Sequence, residues 1–112
     1  PPPPPPCIFT TKASLMTKVQ AFIANPTAAT AKCGPIADWD VSGVTDMSHL
    51  FYGKSGFAED INAWDVSKVT NMDQMFQGAT SFNQPLGSWQ VGQVTNFWAM
   101  FLGASAMNQD IS

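Results

Sequence analysis

The sequence predicts an α/β solenoid of the leucine-rich-repeat type, in which short parallel strands and short helices follow an N-terminal helical cap. Tryptophan recurs at Trp39, Trp64 and Trp89, a strict spacing of 25 residues. Each copy combines a strand-like alternation with a helix-like apolar stripe, and the residues before the first copy form a separate helical pattern. Periods of about 20 to 50 residues are typical of solenoids, because one unit cannot bury its own apolar face and packs on the next.

The residues that stay constant in all three copies predict one continuous core. A valine follows each tryptophan by two places, and a phenylalanine follows it by twelve. The expected core residues are Trp39, Trp64, Trp89, Val41, Val66, Val91, Phe51, Phe76 and Phe101.

Two periodicities share each unit. Residues 61–69 read I-x-x-W-x-V-x-x-V, which matches the L-x-x-L-x-L-x-x pattern of leucine-rich repeats and predicts a short strand. The apolar residues of 69–76 then fall on one stripe of a helix, with Ser67 as a plausible N-cap and Gly78 as a plausible stop. Each unit should therefore contain one strand, one helix and a return loop.

The return loop has its own repeating residues. Asn83 and Asn108 are equivalent, as are Gln84 and Gln109. Their amides could bridge the backbones of neighbouring units, or they could be ordinary hydrated loop residues. The sequence favours neither alternative.

Residues 7–35 are predicted to form the helical cap. Apolar residues at helical spacing lie between Thr10 and Asn25, Thr11 can cap the helix, and Pro26 should end it. Cys7 and Cys33 are the only cysteines and lack the spacing of a metal site, so a disulfide is favoured over two buried thiols. A disulfide indicates an extracellular or cell-surface location.

The two ends of the chain raise separate expectations. Residues 1–6 should form an extended polyproline arm, which could be a stiff spacer, a hydroxylated or O-glycosylated stalk, or an arm that reaches a neighbouring subunit. The candidate modified residues are Pro1, Pro2, Pro3, Pro4, Pro5 and Pro6. Residues 36–112 should hold the three repeats, with an uncapped C-terminal end where Ile111 begins an incomplete pattern.

Composition excludes several functions. The chain has 112 residues, five lysines, no arginine and a net charge of −3, so no basic face exists to bind nucleic acid. No apolar run approaches the ~20 residues of a membrane-spanning helix. His49, the one histidine, lies on an expected exposed face without a nucleophile around it. We therefore expect no enzyme activity and no cofactor.

Three equivalent positions form a possible ligand face. Asp40, Asp65 and Gln90 each fall between a buried tryptophan and a buried valine, so they should point outward from neighbouring units. Two or three carboxylates on an open face fall short of the 6 to 8 oxygens that calcium prefers, and hydrated carboxylates are the better interpretation. We therefore predict no metal site, while a peptide or glycan remains a possible ligand.

The repeat resembles that of the BspA-like leucine-rich-repeat family of surface proteins, whose units read FNQ-x-(L/I)-x-x-W-D-V-S-x-V-T-x-M-x-x-M-F-x-G-A. This chain reads WDVSKVTNMDQMFQGATSFNQPLGSW over 64–89, and the resemblance covers Trp39 to Ser112. The third copy departs from it at Gln90, Gly92, Phe97 and Trp98. The resemblance implies secreted or cell-surface proteins that act in adhesion and surface assembly, without catalytic residues.

Together these observations predict a non-enzymatic structural or adhesive module outside the cell. It should associate with itself or with further repeats through the open C-terminal unit, within a larger surface assembly or fibre. Other surface proteins and glycans are further possible partners. The alternative is a receptor module that binds a peptide or glycan on the strand face.

Overall fold

The computed structural model describes residues 5–109, and its helices all lie near the N-terminus. Helix α1 runs Lys12–Ala24, helix α2 runs Pro26–Cys33, and a 3-10 turn spans Ile36–Asp38. The Thr11 side chain accepts a hydrogen bond from the Ser14 backbone N–H and caps α1. The predicted helix and its cap are thus confirmed. Pro26 also begins a second helix, which was not predicted. Proline fits the first helical position because the N–H groups there have no partner within the helix.

The predicted α/β solenoid of the leucine-rich-repeat type is wrong. From residue 39 to residue 109 the chain forms turns, with no helix, no strand and no sheet. The only β-type pairings in the described chain are isolated parallel bridges that join Ile8 to Asp40, Asp46 to Asn71, and Asn71 to Asn96. The described residues pack into a compact body of 42 × 27 × 23 Å.

A left-handed residue explains why the predicted helices do not form. His49, Gln74 and Ala99 occupy equivalent places in the three repeats and have φ angles of 63°, 55° and 54°. A right-handed helix cannot continue through such a residue. We call 47–54, 72–79 and 97–104 the turn segments. Within each, alternate amides donate three residues back, as Met75 does to Met72 over 3.2 Å, which replaces the four-residue bonds of a helix.

The remaining amides of the turn segments explain the lack of a sheet. In the second repeat the Asp73 N–H donates to Asn71 Oδ1, and the other four donate to carbonyls of the third repeat. These four bonds are Met72 to Asn96, Gln74 to Trp98, Phe76 to Met100 and Gly78 to Leu102, at 2.8 to 2.9 Å. The first repeat donates to the second in the same way through Met47, His49, Phe51 and Gly53. The second turn segment therefore gives donors to the third repeat and carbonyls to the first, whereas a strand exchanges both with the same neighbour.

The core lies between these repeats. Trp39, Trp64 and Trp89 are buried, as are Val41, Val66, Phe51 and Phe76. Phe51 stacks on Phe76 with ring centroids 5.3 Å apart, and Phe76 stacks on Phe101 at 5.5 Å. Two expected core residues differ: Val91 is exposed and Phe101 is only half-buried. Both lie on the side of the third repeat that no described residue covers.

Amide side chains of the return loops join neighbouring repeats. Asn83 Oδ1 accepts from the Asn108 backbone N–H over 2.9 Å, and from Gln109 Nε2 over 3.1 Å. Gln84 Nε2 donates to the Ala58 carbonyl over 2.8 Å. Of the two alternatives for these amides, the structure contains the one in which they bridge neighbouring repeats. The bridges satisfy loop carbonyls that would otherwise lack a partner.

The N-terminal segment closes the opposite side of the repeats. Cys7 and Cys33 form the predicted disulfide, with Cα atoms 4.7 Å apart. Next to it, the Phe9 N–H donates to the Asp40 carbonyl over 2.8 Å, and the Asp40 N–H donates to the Cys7 carbonyl over 3.0 Å. Phe22 of α1 meets Trp39 edge-on, with ring centroids 6.0 Å apart. The helices therefore cover the first repeat.

Two predictions concern residues outside the described range. The modification of Pro1 to Pro4 lies outside residues 5–109, as does the open unit predicted at Ile111. Pro5 and Pro6 are exposed.

Candidate interaction surfaces

The carboxylates of Asp40 and Asp65 belong to two equivalent turns. Asp65 Oδ1 accepts from the Ser67 backbone N–H over 3.0 Å and from the Ser67 hydroxyl over 2.6 Å. Asp40 makes the same pair of bonds with Ser42, at the same distances. The Asp-x-Ser sequence therefore has a local structural role, because aspartate stabilises the backbone turn two residues further on.

Those bonds also set the charge of this face. The Ser42 hydroxyl, followed by the Ser42 backbone N–H, lowers the pKa of Asp40 below 3.8. The Ser67 hydroxyl and backbone N–H lower the pKa of Asp65 in the same way. The negative charge of Asp65 acts in the opposite direction on the pKa of Asp40, without reversing the lowering. Both stay ionised at neutral pH.

The predicted ligand face is only partly assembled. Asp65 and Gln90 line one shallow cleft of about 620 Å³, together with Asp60, Asn62 and Ser88. Asp40 is exposed but does not line it. The lining of the cleft is half polar and half apolar, and its hydrogen-bonding groups come from two adjacent repeats. Sequence reasoning missed Asp60 and Asn62, which precede the tryptophan and lie outside the constant positions.

A second surface lies on the third repeat and is apolar. The side chains of Phe97, Trp98 and Leu102 are 45%, 68% and 60% exposed, and Val91 is 38% exposed. We call this surface the third-repeat face. Val91 and Phe97 also line a pocket of about 170 Å³, together with Leu86, Trp89, Met100 and Phe101.

The third-repeat face results from both position and substitution. Trp98 stands where the first two repeats have Ser48 and Asp73, and Leu102 stands where they have Tyr52 and Gln77. The apolar substitutions increase the contrast between this face and the polar surface around it. The departure of Phe97 and Trp98 from the repeat pattern was the sequence signal for this surface.

The described residues include the one histidine of the chain. His49 is exposed and lies against Tyr52, with ring centroids 5.5 Å apart. Residues 5–109 contain no group of three or more metal-ligating side chains. Neither described helix combines the length and apolarity needed to cross a membrane.

The chain belongs to the family described as "Mycoplasma protein of unknown function, DUF285", whose model matches residues 17–112. The match covers all three repeats and most of α1. The family description carries no leucine-rich-repeat assignment. Neither the curated proteins nor the solved structures contain a significant match.

Proposed function

We propose that this chain is a non-enzymatic extracellular module with a structural or adhesive role in a larger surface assembly. It would make its contacts through the third-repeat face, with a second copy or with further repeats. The BspA-like resemblance of the repeat supports the same role, since adhesion and surface assembly are what that resemblance implies.

The observation that carries this proposal is the exposed apolar surface at Phe97, Trp98 and Leu102. Contiguous apolar patches on a folded protein mark interaction sites, because their burial removes unfavourable contact with water. Aromatic side chains are enriched at the centre of such sites. The pocket of about 170 Å³ that Phe97 lines has room for one apolar side chain of a partner.

The disulfide supports the location. Disulfides persist in oxidising surroundings and are rare in reducing ones. The Cys7–Cys33 bridge holds the N-terminal segment against α2, so its reduction would loosen the cover over the first repeat.

Sedimentation equilibrium over a range of concentrations tests the proposed contact. We expect the natural chain to associate at high concentration, and Trp98→Asp with Leu102→Gln, which restores second-repeat residues, to stay monomeric with an unchanged unfolding midpoint. The matched control is Tyr52→Gln, at the position equivalent to Leu102, which should associate normally. A monomeric natural chain, or a double variant that still associates, would contradict self-association through the third-repeat face.

A second candidate function uses the cleft that Asp65 and Gln90 line, which would hold a peptide or glycan. Hydrogen-bonding groups from two repeats converge there, as Asn62 Oδ1 already accepts the Ser88 backbone N–H over 3.0 Å. Screening glycan and peptide arrays with the chain would identify a ligand. Asp65→Asn with Gln90→Ala should then abolish that binding. Asp40→Asn changes the equivalent aspartate turn outside the cleft, so it should cause a similar loss of stability and leave binding intact. Binding that survives the double substitution would exclude the cleft.

A further inference from the structure

The third-repeat face presents a row of unused backbone donors. Within residues 5–109, the amides of Phe97, Ala99, Phe101 and Gly103 donate to no group. Their equivalents in the second repeat all donate to carbonyls of the third repeat, at 2.8 to 2.9 Å. Four donors in one turn segment therefore point away from the second repeat, with no acceptor among the described residues.

The same face presents two acceptors at defined places. The Thr70 carbonyl accepts from the Thr95 N–H over 2.8 Å, and the Ile61 carbonyl accepts from the indole N–H of Trp89 over 3.0 Å. The carbonyls of Thr95 and Leu86 are the equivalents in the third repeat, and among described residues neither receives a bond of this kind. The face thus combines four donors with two acceptors in a fixed order.

We infer that the third-repeat face, the surface on which the proposed function rests, selects a further 25-residue repeat as its partner. Such a repeat would present four carbonyls, one just before its turn segment and three within it, together with a tryptophan indole N–H and a threonine N–H. That set complements all six groups, and it is the set that the third repeat itself offers to the second. The partner can be part of a longer chain or of another protein.

The apolar groups fit the same partner. Val66 and Met72, which are equivalent to Val91 and Phe97, are 1% and 0% exposed beneath the third repeat. A further repeat would cover Val91 and Phe97 in the same way. It would also place a phenylalanine on the open side of Phe101, continuing the stacking at about 5 Å that joins Phe51, Phe76 and Phe101.

A second copy of this chain meets these requirements poorly. Two third-repeat faces placed together would set donor row against donor row, and buried unpaired N–H groups are costly. The carbonyls of the first turn segment, which face away from the second repeat, are not accessible to a second copy either. Ser48 and Leu50 are buried there, and Lys12 of α1 donates to the Ser48 hydroxyl over 2.7 Å. Self-association would therefore rest on side chains alone.

An ordinary β-strand is also a poor match. Along the edge of a strand, every second residue directs both its N–H and its C=O toward the neighbouring chain. The residues between them direct neither group to that side. The N–H groups of a strand would therefore face the donors of Phe97 to Gly103. Only a segment with the turn conformation of these repeats directs its carbonyls alone toward the face.

Amide hydrogen exchange on an extended chain tests the inference. A copy of residues 63–87 placed directly after Ser112 continues the 25-residue spacing. We expect the amides of Phe97, Ala99, Phe101 and Gly103 to exchange on the order of 100-fold more slowly than in the natural chain, as hydrogen-bonded backbone does. The matched control carries the same 25 residues in reverse order and should leave exchange unchanged.

Two results would overturn the inference: unchanged exchange at all four amides in the extended chain, or equal protection by the reversed extension. Protection of the same amides when the natural chain self-associates would also overturn it, since a second copy would then supply the acceptors. Failure of the proposed function would give a different result from failure of this inference. A natural chain that stays monomeric contradicts self-association, while the four amides of the extended chain still report on repeat binding.

Discussion

The indole N–H of Trp64 donates to the backbone carbonyl of Ile36 over 2.8 Å, so the second repeat is bonded to the segment that leads into the first. Trp89 makes the equivalent bond to Ile61. A tryptophan at this place therefore both fills the core and satisfies a carbonyl of the preceding repeat. Phenylalanine could supply only the first of these contributions.

Replacing Trp64 with phenylalanine should lower the free energy of unfolding by about 1 to 3 kcal/mol, because the Ile36 carbonyl loses a buried partner. Urea denaturation measures the change. Trp98→Phe is the control, since Trp98 is exposed and its substitution should alter stability by less than about 0.5 kcal/mol. Equal effects at the two positions would show that the indole bond contributes nothing.

Phe76 and Phe101 should differ in their contribution to stability. Phe76 is buried between two other rings, and Phe76→Ala should cost about 3 to 5 kcal/mol. Phe101 is half-buried, with Phe76 on one side only, so Phe101→Ala should cost roughly half as much. Thermal unfolding of the two variants gives the comparison. A larger loss at Phe101 would contradict the packing described above.

The Cys7–Cys33 disulfide closes a loop with a sequence separation of 26 residues. Its removal by Cys7→Ser with Cys33→Ser should lower stability by roughly 3 to 4 kcal/mol, because the unfolded chain gains freedom. Chemical denaturation with and without a reductant measures this. The reductant should destabilise the natural chain and have no effect on the double variant, and a natural chain insensitive to the reductant would refute the prediction.

The pKa of Asp65 should depend on Ser67. Removing the hydroxyl in Ser67→Ala should raise that pKa toward 3.8, because the side-chain hydrogen bond is the main cause of its lowering. Carboxyl chemical shifts followed through an acid titration measure it. Ser81→Ala is the control, since Ser81 is exposed and belongs to neither aspartate turn.

The same bond gives stability a defined pH dependence. Because the folded pKa lies below the ordinary value of 3.8, the contribution of Asp65 is complete above pH 3.8 and is lost as the pH falls through the folded pKa. Ser67→Ala should therefore show a shallower loss of stability in that acid range. An unchanged Asp65 pKa in this variant would assign the lowering to another group.

The sequence predicted the spacing and most of the core, because tryptophan, valine and phenylalanine recur at places where repeats meet. The helix before the repeats was predictable from Thr11 and its apolar stripe. The backbone conformation inside the repeat could not be predicted in this way. An apolar stripe at helical spacing also fits a series of successive turns. The residue types of His49, Gln74 and Ala99 do not indicate a positive φ.

The candidate surfaces were predictable to different extents. Asp65 and Gln90 share a cleft as equivalent positions should, but Asp40 does not join them, because the cleft depends on loop residues outside the constant pattern. Phe97 and Trp98 were visible as departures from the repeat, yet their exposure depended on which side of the third repeat is covered. Pattern analysis identifies unusual residues, while only the packing shows which of them reach solvent.

The bonds between repeats join residues 24 to 28 positions apart, and this has a consequence for how such a gene can change. Recombination that duplicates or deletes one whole repeat leaves matching hydrogen-bond partners at every contact between neighbouring repeats. An insertion of one codon within 72–78 would shift the alternating amides onto the wrong side. We therefore expect variation in this lineage to occur as changes in copy number, and small insertions to be confined to the return loops.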